Sequence, residues 1–176
     1  MKRIVITGGP ATGKTSLIQA LNKRGMQTFP EVARQIIKEQ VDLKTKMVPW
    51  DDVSGFSKLV LEQQLNHFST AYKALNFYDR GIPDLIGYMN HGKKPVFKKL
   101  YECSNSHRYD HVFILPPWKE IYETDNERRE NFEESILIFE ALETAYAKLG
   151  YNSVIIPPLN IEKRLKFILN KLNDYS

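Results

Sequence analysis

Near its start the chain runs Ile4-Val5-Ile6-Thr7-Gly8-Gly9-Pro10-Ala11-Thr12-Gly13-Lys14-Thr15-Ser16, and this segment settles the architecture. Gly8, Gly13, Lys14 and Thr15 match the pattern G-x-x-x-x-G-K-[ST]. The β-branched run before Gly8 reads as a buried strand, and Ser16-Leu17-Ile18-Gln19-Ala20-Leu21 as the first turns of a helix. A strand, a glycine loop and a helix N-terminus together make a nest of backbone N–H groups suited to a polyphosphate. The expected nucleotide contacts are therefore Gly8, Gly9, Pro10, Ala11, Thr12, Gly13, Lys14, Thr15 and Ser16. Lys14 is placed to meet the β- and γ-phosphates, and the Thr15 hydroxyl to bind Mg²⁺. The alternative is a glycine-rich turn without a ligand, and the flanking strand and helix argue against it.

Outward from the loop, strands and helices alternate. Strand-like runs lie at Ile4–Thr7, Met26–Phe29, Leu75–Asp79, His111–Leu115 and Ser153–Ile156. The first helix follows the loop and stops at Gly25, and a second starts at Glu31. A long helix spans about Asp52 to Ala74, and another follows Gly81. One with Phe132, Ile136, Phe139, Leu142, Tyr146 and Leu149 on one face ends at Gly150. The last carries Ile161, Leu165, Ile168, Leu169 and Leu172, with Asn160 as N-cap. Repeated βα units imply an α/β fold with a parallel sheet covered on both faces. Residues 1–176 read as a single domain. Val41–Trp50 is a polar loop, and residues 117–134, apolar and then densely charged, are either a lid over the ligand or a solvated connection.

Composition narrows the function classes. The net charge of +4 suits an anionic ligand, but no basic block marks a nucleic-acid surface. With one cysteine, Cys103, there is no internal disulfide and no multi-cysteine metal site. His67, His91, His107 and His111 lack paired ligand spacing and read as structural. No apolar run is long enough to cross a bilayer, so the expected compartment is the cytoplasm.

A phosphate loop works with an acid on a neighbouring strand that organises the metal shell. Asp79, ending Asn76-Phe77-Tyr78-Asp79, is the candidate; the alternative is a helix N-cap. Arg80 follows it, where an ATPase that activates water commonly carries a second acid. That substitution favours transfer to an acceptor over hydrolysis. Arg80 is read as neutralising phosphate charge, or alternatively as an ion-pair partner of a nearby acid. Glu31 lies just past the second strand, on the side where open α/β sheets bind ligands, and is a candidate base for an acceptor hydroxyl. The alternative is a favourable charge at a helix start. Arg34 lies one turn on. Arg128 and Arg129 are candidates for the transferring phosphoryl group or the nucleotide base, or else surface partners of Glu130 and Glu133. Pro157-Pro158-Leu159-Asn160 follows the last strand, which makes Pro158 a candidate base contact or part of an ordinary turn.

These segments resemble a known family. The phosphate loop, Phe29-Pro30-Glu31-Val32-Ala33-Arg34, Tyr78-Asp79-Arg80-Gly81, Pro117-Trp118 with Asp125 and Arg128, and Leu149-Gly150-Tyr151 with Pro157 look like the AAA-domain P-loop ATPases. That group includes the nicotinamide riboside kinase domain of the bifunctional nicotinamide-nucleotide regulators. The resemblance spans nearly the whole chain. It implies a three-layer, kinase-type P-loop fold with a five-stranded parallel sheet in the order 2-3-1-4-5. The Pro30-Glu31 and Asp79-Arg80 elements are also similar to the base-acid and acid-arginine motifs of deoxynucleoside kinases.

The leading expectation is a kinase that moves the γ-phosphate of ATP, with Mg²⁺, to a small-molecule acceptor, a nucleoside-like compound being the candidate. The other is a nucleotide switch or regulatory ATPase acting on a protein partner. A guanine-reading Asn-Lys-x-Asp is lacking, since Asn170-Lys171-Leu172-Asn173 puts Asp174 one place late, so ATP ranks above GTP.

Overall fold

The computed structural model describes residues 1–121 and 131–174. Strand β1 (Lys2–Gly8) leads through the glycine loop into α1 (Lys14–Lys23), and β2 (Gln27–Phe29) follows. Helices α2 (Ala33–Asp42) and α3 (Val53–Ser69) precede β3 (Leu75–Asp79). Next come α4 (Ile82–His91), α5 (Lys98–Ser106) and β4 (His111–Leu115). Helix α6 (Phe132–Lys148), β5 (Val154–Ile155) and α7 (Ile161–Asp174) complete the order.

The five strands form one parallel sheet in the order β2-β3-β1-β4-β5. β1 sits at its centre, with Ile6 opposite Asp79 of β3 on one side and Phe113 of β4 on the other. The chain passes from β1 to the β2 edge, returns to β3, and then crosses β1 to reach β4. That reversal opens a crevice at the carboxyl ends of the central strands, where the glycine loop begins.

Side-chain alternation explains the layers. Ile4 and Ile6 pack with Phe77, Phe113 and Leu115 beneath α1 and α7, which supply Leu17, Ile18, Leu21, Leu165 and Ile168. Val5, Tyr78 and Val112 point the other way and meet Tyr146 of α6. Ile114 packs on Ile138 and Leu142 of the same helix. Helices α2, α3 and α4 bury Ile36, Phe56, Val60, Ile82 and Ile86 against one another. The central strands β1, β3 and β4 carry buried apolar side chains on both faces, as a covered parallel sheet requires.

Local departures from the sequence reading have physical causes. Helix α2 starts at Ala33, so Glu31 stands in the turn after β2 rather than within a helix. Helix α3 begins as expected, because the Asp52 carboxylate accepts the Gly55 N–H at 2.9 Å. It stops at Ser69, five residues before the expected end at Ala74, and the chain between leads into β3. Helix α5 was not foreseen. Only Leu100 and Ser104 of it are buried, too few to make an apolar period. Asn160 caps α7 as expected, its Oδ1 accepting the Lys163 N–H at 3.0 Å. Among the described residues no helix is long and apolar enough to cross a membrane.

Gly8 has a φ of +142°, and a Cβ there would stand 2.5 Å from the Leu115 carbonyl oxygen, so only glycine fits. Gly25 also has a positive φ, +77°, but its Cβ would meet nothing within 4 Å. Replacing either by alanine incurs the left-handed backbone cost of about 1–2 kcal/mol. Gly8→Ala additionally drives β1 from β4, so its unfolding free energy should fall by at least about 2 kcal/mol more than that of Gly25→Ala. Urea unfolding of the two variants measures the difference; equal losses would contradict the close approach.

Candidate active site

The loop after β1 takes its shape from two left-handed residues, Ala11 at φ +56° and Gly13 at φ +82°. Gly13 caps α1, whose first N–H groups therefore open toward the crevice. Lys14 is 6% exposed and folds back over the loop. Its Nζ donates to the Gly9 carbonyl at 2.6 Å and to the Thr12 hydroxyl at 3.3 Å. Burial, helped by the nearby Arg80 cation, brings its pKa down to about 8. An ammonium group held this way gains from any polyanion that enters the loop.

Asp79 ends β3 directly beside β1. It is 5% exposed, and its Oδ1 has no hydrogen-bond partner among the described residues. Burial lifts its carboxyl to about 6, with Lys14 pulling it down and Glu31 pushing it up. At neutral pH it is a largely ionised acid with an unmade bond, a local cost characteristic of functional sites.

Arg80 leaves the strand with a φ of +71°, unusual for a residue with a side chain. The turn aims its guanidinium back over the loop. Nε meets Glu31 Oε1 at 3.1 Å, while Nη1 donates to the Gly8 carbonyl at 3.0 Å and approaches Asp84 Oδ1 at 3.4 Å. The guanidinium also lies 5.0 Å from the Tyr88 ring centroid. Burial alone would raise the Glu31 carboxyl, but Arg80 and Lys14 outweigh it and hold the group below the usual carboxylate range. The guanidinium is ion-paired with acids, as the second reading of Arg80 has it, and one of its N–H groups is bonded to the loop.

Asp84 anchors this arrangement from α4 and is 2% exposed. It accepts hydrogen bonds from the Thr7 hydroxyl, the Gly81 N–H at 2.9 Å and the Tyr146 hydroxyl at 2.5 Å. Thus β1, α4 and α6 all hold the carboxylate that braces Arg80. Gln64 of α3 ties in the same turn through its Nε2 bond to the Gly81 carbonyl at 3.1 Å.

A cavity of about 1260 Å³ contains these groups. Pro10 through Ser16, Glu31 and Arg80 line it, and so does Arg34. Its wall is apolar at Phe56, Val60, Leu85 and Met89. Gly8 and Gly9 lie behind, offering carbonyls to Arg80 and Lys14. Asp79 is not part of the lining. Neither is Pro158, although the next residues, Leu159 and Asn160, are. Arg128 and Arg129, with the rest of residues 122–130, lie outside the described residues. The chain just before that stretch, Trp118 and the 3₁₀ turn Lys119–Ile121, contributes Trp118, Glu120 and Ile121 to the wall.

The sequence reading did not single out Asp84, Gln64 or Arg164, and it placed Tyr146 on a helix face without a role in the site. Asp84 had one legible signal: it stands three residues after Gly81, the acid position of a capping box. Its bonds to Thr7 and Tyr146 span 77 and 62 residues and leave no local trace.

The loop, its lysine, and a parallel sheet with β3 and β4 flanking β1 make up a P-loop fold with the strand order of the kinase type. The AAA domain family model matches residues 3–164, and the chain belongs to that family. No curated protein matches it. Among solved structures, deoxyadenosine kinase from M. mycoides with products dCMP and dCDP superposes with a TM-score of 0.67 at 16% identity, covering 99% of this chain and 100% of that one. The NadR protein in complex with NR gives a TM-score of 0.72 at 17% identity, with 99% of this chain spanning 50% of that one. Thymidylate kinase from Ehrlichia chaffeensis gives 0.66 at 14%, covering 97% and 98%. At such identities the likeness is one of fold.

The Asp79 shift has a consequence for stability. Its folded pKa of about 6 lies above that of an ordinary Asp, so the folded state holds this proton more tightly than the unfolded chain does. The acid's burial therefore costs nothing near pH 4 and an increasing amount as pH rises to and beyond 6. Ligand-free Asp79→Asn should be more stable than the wild type at pH 8, by on the order of 1–3 kcal/mol, and equal to it near pH 4. Thermal unfolding across that range checks the sign; a variant less stable at pH 8 would contradict it.

Proposed function

We propose that the chain is a small-molecule kinase that moves the γ-phosphate of ATP to a hydroxyl of a nucleoside-like acceptor. One observation carries the reading: the phosphate loop and the Glu31–Arg80 pair line the same cavity, whose wall beyond them is apolar. Phosphoryl transfer asks a protein mainly for positioning and for positive charge around the phosphates. The cavity supplies both, and its apolar wall suits the flat face of an acceptor ring. The folds of deoxyadenosine kinase, thymidylate kinase and NadR support the same reading.

In this mechanism the loop N–H groups and Lys14 hold the β- and γ-phosphates. Glu31, kept ionised by Arg80, takes the proton of the acceptor hydroxyl as its oxygen attacks the γ-phosphorus. The bond to the β–γ bridging oxygen breaks and ADP departs. Arg80 then shifts part of its charge from Glu31 to the transferring group, which Glu31 no longer balances once it is protonated. Arg80 stands where an ATPase that activates water commonly carries a second acid, which favours transfer over hydrolysis.

The residues also fit Mg²⁺. Thr15 lines the cavity, and Asp79, at the end of β3, carries a buried oxygen without a hydrogen-bond partner among the described residues. Among the described residues no cluster of three or more His, Cys, Asp or Glu could cage a metal alone. That suits an ion which keeps waters and leans on one or two protein oxygens plus substrate phosphates. Thr15 would hold it directly and Asp79 would organise its shell; when bound, it offsets charge on the β- and γ-phosphates.

Glu31→Gln keeps size and polarity but cannot take a proton. With a nucleoside panel as acceptor, product formation should fall by about 10²–10⁴-fold, while ATP affinity measured by calorimetry stays close to wild type. Equal, small effects on transfer, background hydrolysis and binding would count against the base role. They would favour instead a regulatory ATPase that signals to a protein partner.

A further inference from the structure

Gly81, the residue after Arg80, has no backbone reason to be glycine. Its φ of −114° and ψ of 174° are extended values that any residue adopts. What the position lacks is room. A Cβ there would stand 2.7 Å from the Tyr146 hydroxyl, 2.9 Å from Val5 Cγ2 and 3.0 Å from Tyr109 Cε2. The missing side chain leaves space for two tyrosines to reach the turn. Tyr109 accepts the Ile82 N–H on its hydroxyl at 3.2 Å. Tyr146, fully buried on α6, passes its hydroxyl by Gly81 to reach Asp84 Oδ2 at 2.5 Å.

Asp84 thereby has four donors, two on each oxygen. The Tyr146 hydroxyl and the Gly81 N–H share Oδ2, while the Thr7 hydroxyl and Arg80 Nη1 share Oδ1. A carboxylate offers about four lone-pair sites, so this one is filled. Arg80 is the most distant of the four, at 3.4 Å, and it lies closer to Glu31, at 3.1 Å, and to the Gly8 carbonyl, at 3.0 Å. Asp84 holds the guanidinium loosely because its other donors already satisfy it. Burial and the Asp84 charge push the Tyr146 phenol well above its ordinary pKa, so the hydroxyl keeps its proton and stays a donor. A carboxylate buried this deeply that lost one donor would draw the nearest cation in to replace it. Arg164 of α7 steadies the phosphate loop itself, its Nη1 donating to the Thr12 carbonyl at 2.9 Å. The cation that faces the loop is steadied from α6.

We propose that Tyr146 is a positioning residue for phosphoryl transfer: by filling Oδ2 of Asp84, it keeps the Arg80 guanidinium on Glu31 and the phosphate loop instead of closed onto Asp84. This role rests on the kinase reading above and adds to it a residue that is not part of the cavity lining. Tyr146 acts through Asp84, and Asp84 through Arg80.

Tyr146→Phe removes the hydroxyl and keeps the ring. Tyr151→Phe is the control, because its hydroxyl belongs to the same aromatic cluster but accepts the Tyr109 N–H, at 3.2 Å. The first measurement needs no activity. Nitrogen-15 NMR follows the Arg80 Nε–H, assigned by its loss in Arg80→Lys, as it exchanges with water. Exchange should quicken by about 10-fold in Tyr146→Phe and by less than about twofold in Tyr151→Phe, as loosening of a charged hydrogen bond predicts. The second measurement is acceptor-dependent transfer. In Tyr146→Phe, kcat should fall by about 10–100-fold while the KM values for ATP and acceptor change less than about threefold, because the guanidinium is displaced but not removed. Tyr151→Phe should stay near wild type. Thr7→Val empties the other oxygen of Asp84 and should act like Tyr146→Phe, which keeps the test open if that variant fails to fold. Exchange no faster than in the control, an unchanged kcat, or a kcat loss matched by the control would make Tyr146 a packing residue and overturn the role, leaving the kinase reading intact. A wild type that transfers phosphate to no acceptor would instead sink the kinase reading, and the role in transfer with it.

Discussion

Arg80 is wedged between two acids, Glu31 and Asp84, with a loop carbonyl as its third contact. Removing three charges from water is costly unless each is bonded, and the surrounding structure is arranged to bond them. Thr7 of β1, Tyr146 of α6 and the Gly81 N–H converge on Asp84. Arg80 accepts a left-handed backbone to reach its partners. The central strand, the helix on its far face and the turn after β3 are thus committed to holding one guanidinium over the phosphate loop. Glu31 depends on that cation, because burial would otherwise push its proton affinity upward.

Two neighbours are left less satisfied. Lys14 is pulled down toward neutrality by burial and by Arg80, and Asp79 is pushed toward protonation by burial and by Glu31. A polyanion relieves the first strain, and a cation the second. Ligand-free, the site carries electrostatic costs that a nucleotide with its metal would offset, which links stability to binding by mass action. The hydrophobic layers on either side of the sheet bear these costs. α1 and α7 seal one face, and the α6 contacts seal the other.

Local chemistry explains which parts were legible in the sequence. The phosphate loop is contiguous, and its glycines have specific reasons to be glycine, so the strand, loop and helix could be read directly. β3 and β4 are short apolar runs buried on both faces and were placed at their observed ends. The strand order came with the family resemblance, since periodicity alone says nothing of neighbours. Asp84 and Arg164 were not legible as site residues because their partners lie far away in the chain. A buried acid at a helix start looks like a cap, and an arginine on a terminal helix looks like surface. Helix α5 was missed because only two of its residues are buried. Pro158 illustrates the limit of reading a turn: the connection does reach the cavity, but through the residues that follow it.

The destination of the phosphoryl group is the central claim, and it can be followed directly. ATP labelled in its γ-phosphate, incubated with the wild-type protein, Mg²⁺ and each of a set of nucleosides, distinguishes transfer from hydrolysis by where the label ends. The account predicts label on one nucleoside, in amounts equal to the ADP formed, and little in inorganic phosphate. Label released as inorganic phosphate at a rate indifferent to every acceptor would contradict it.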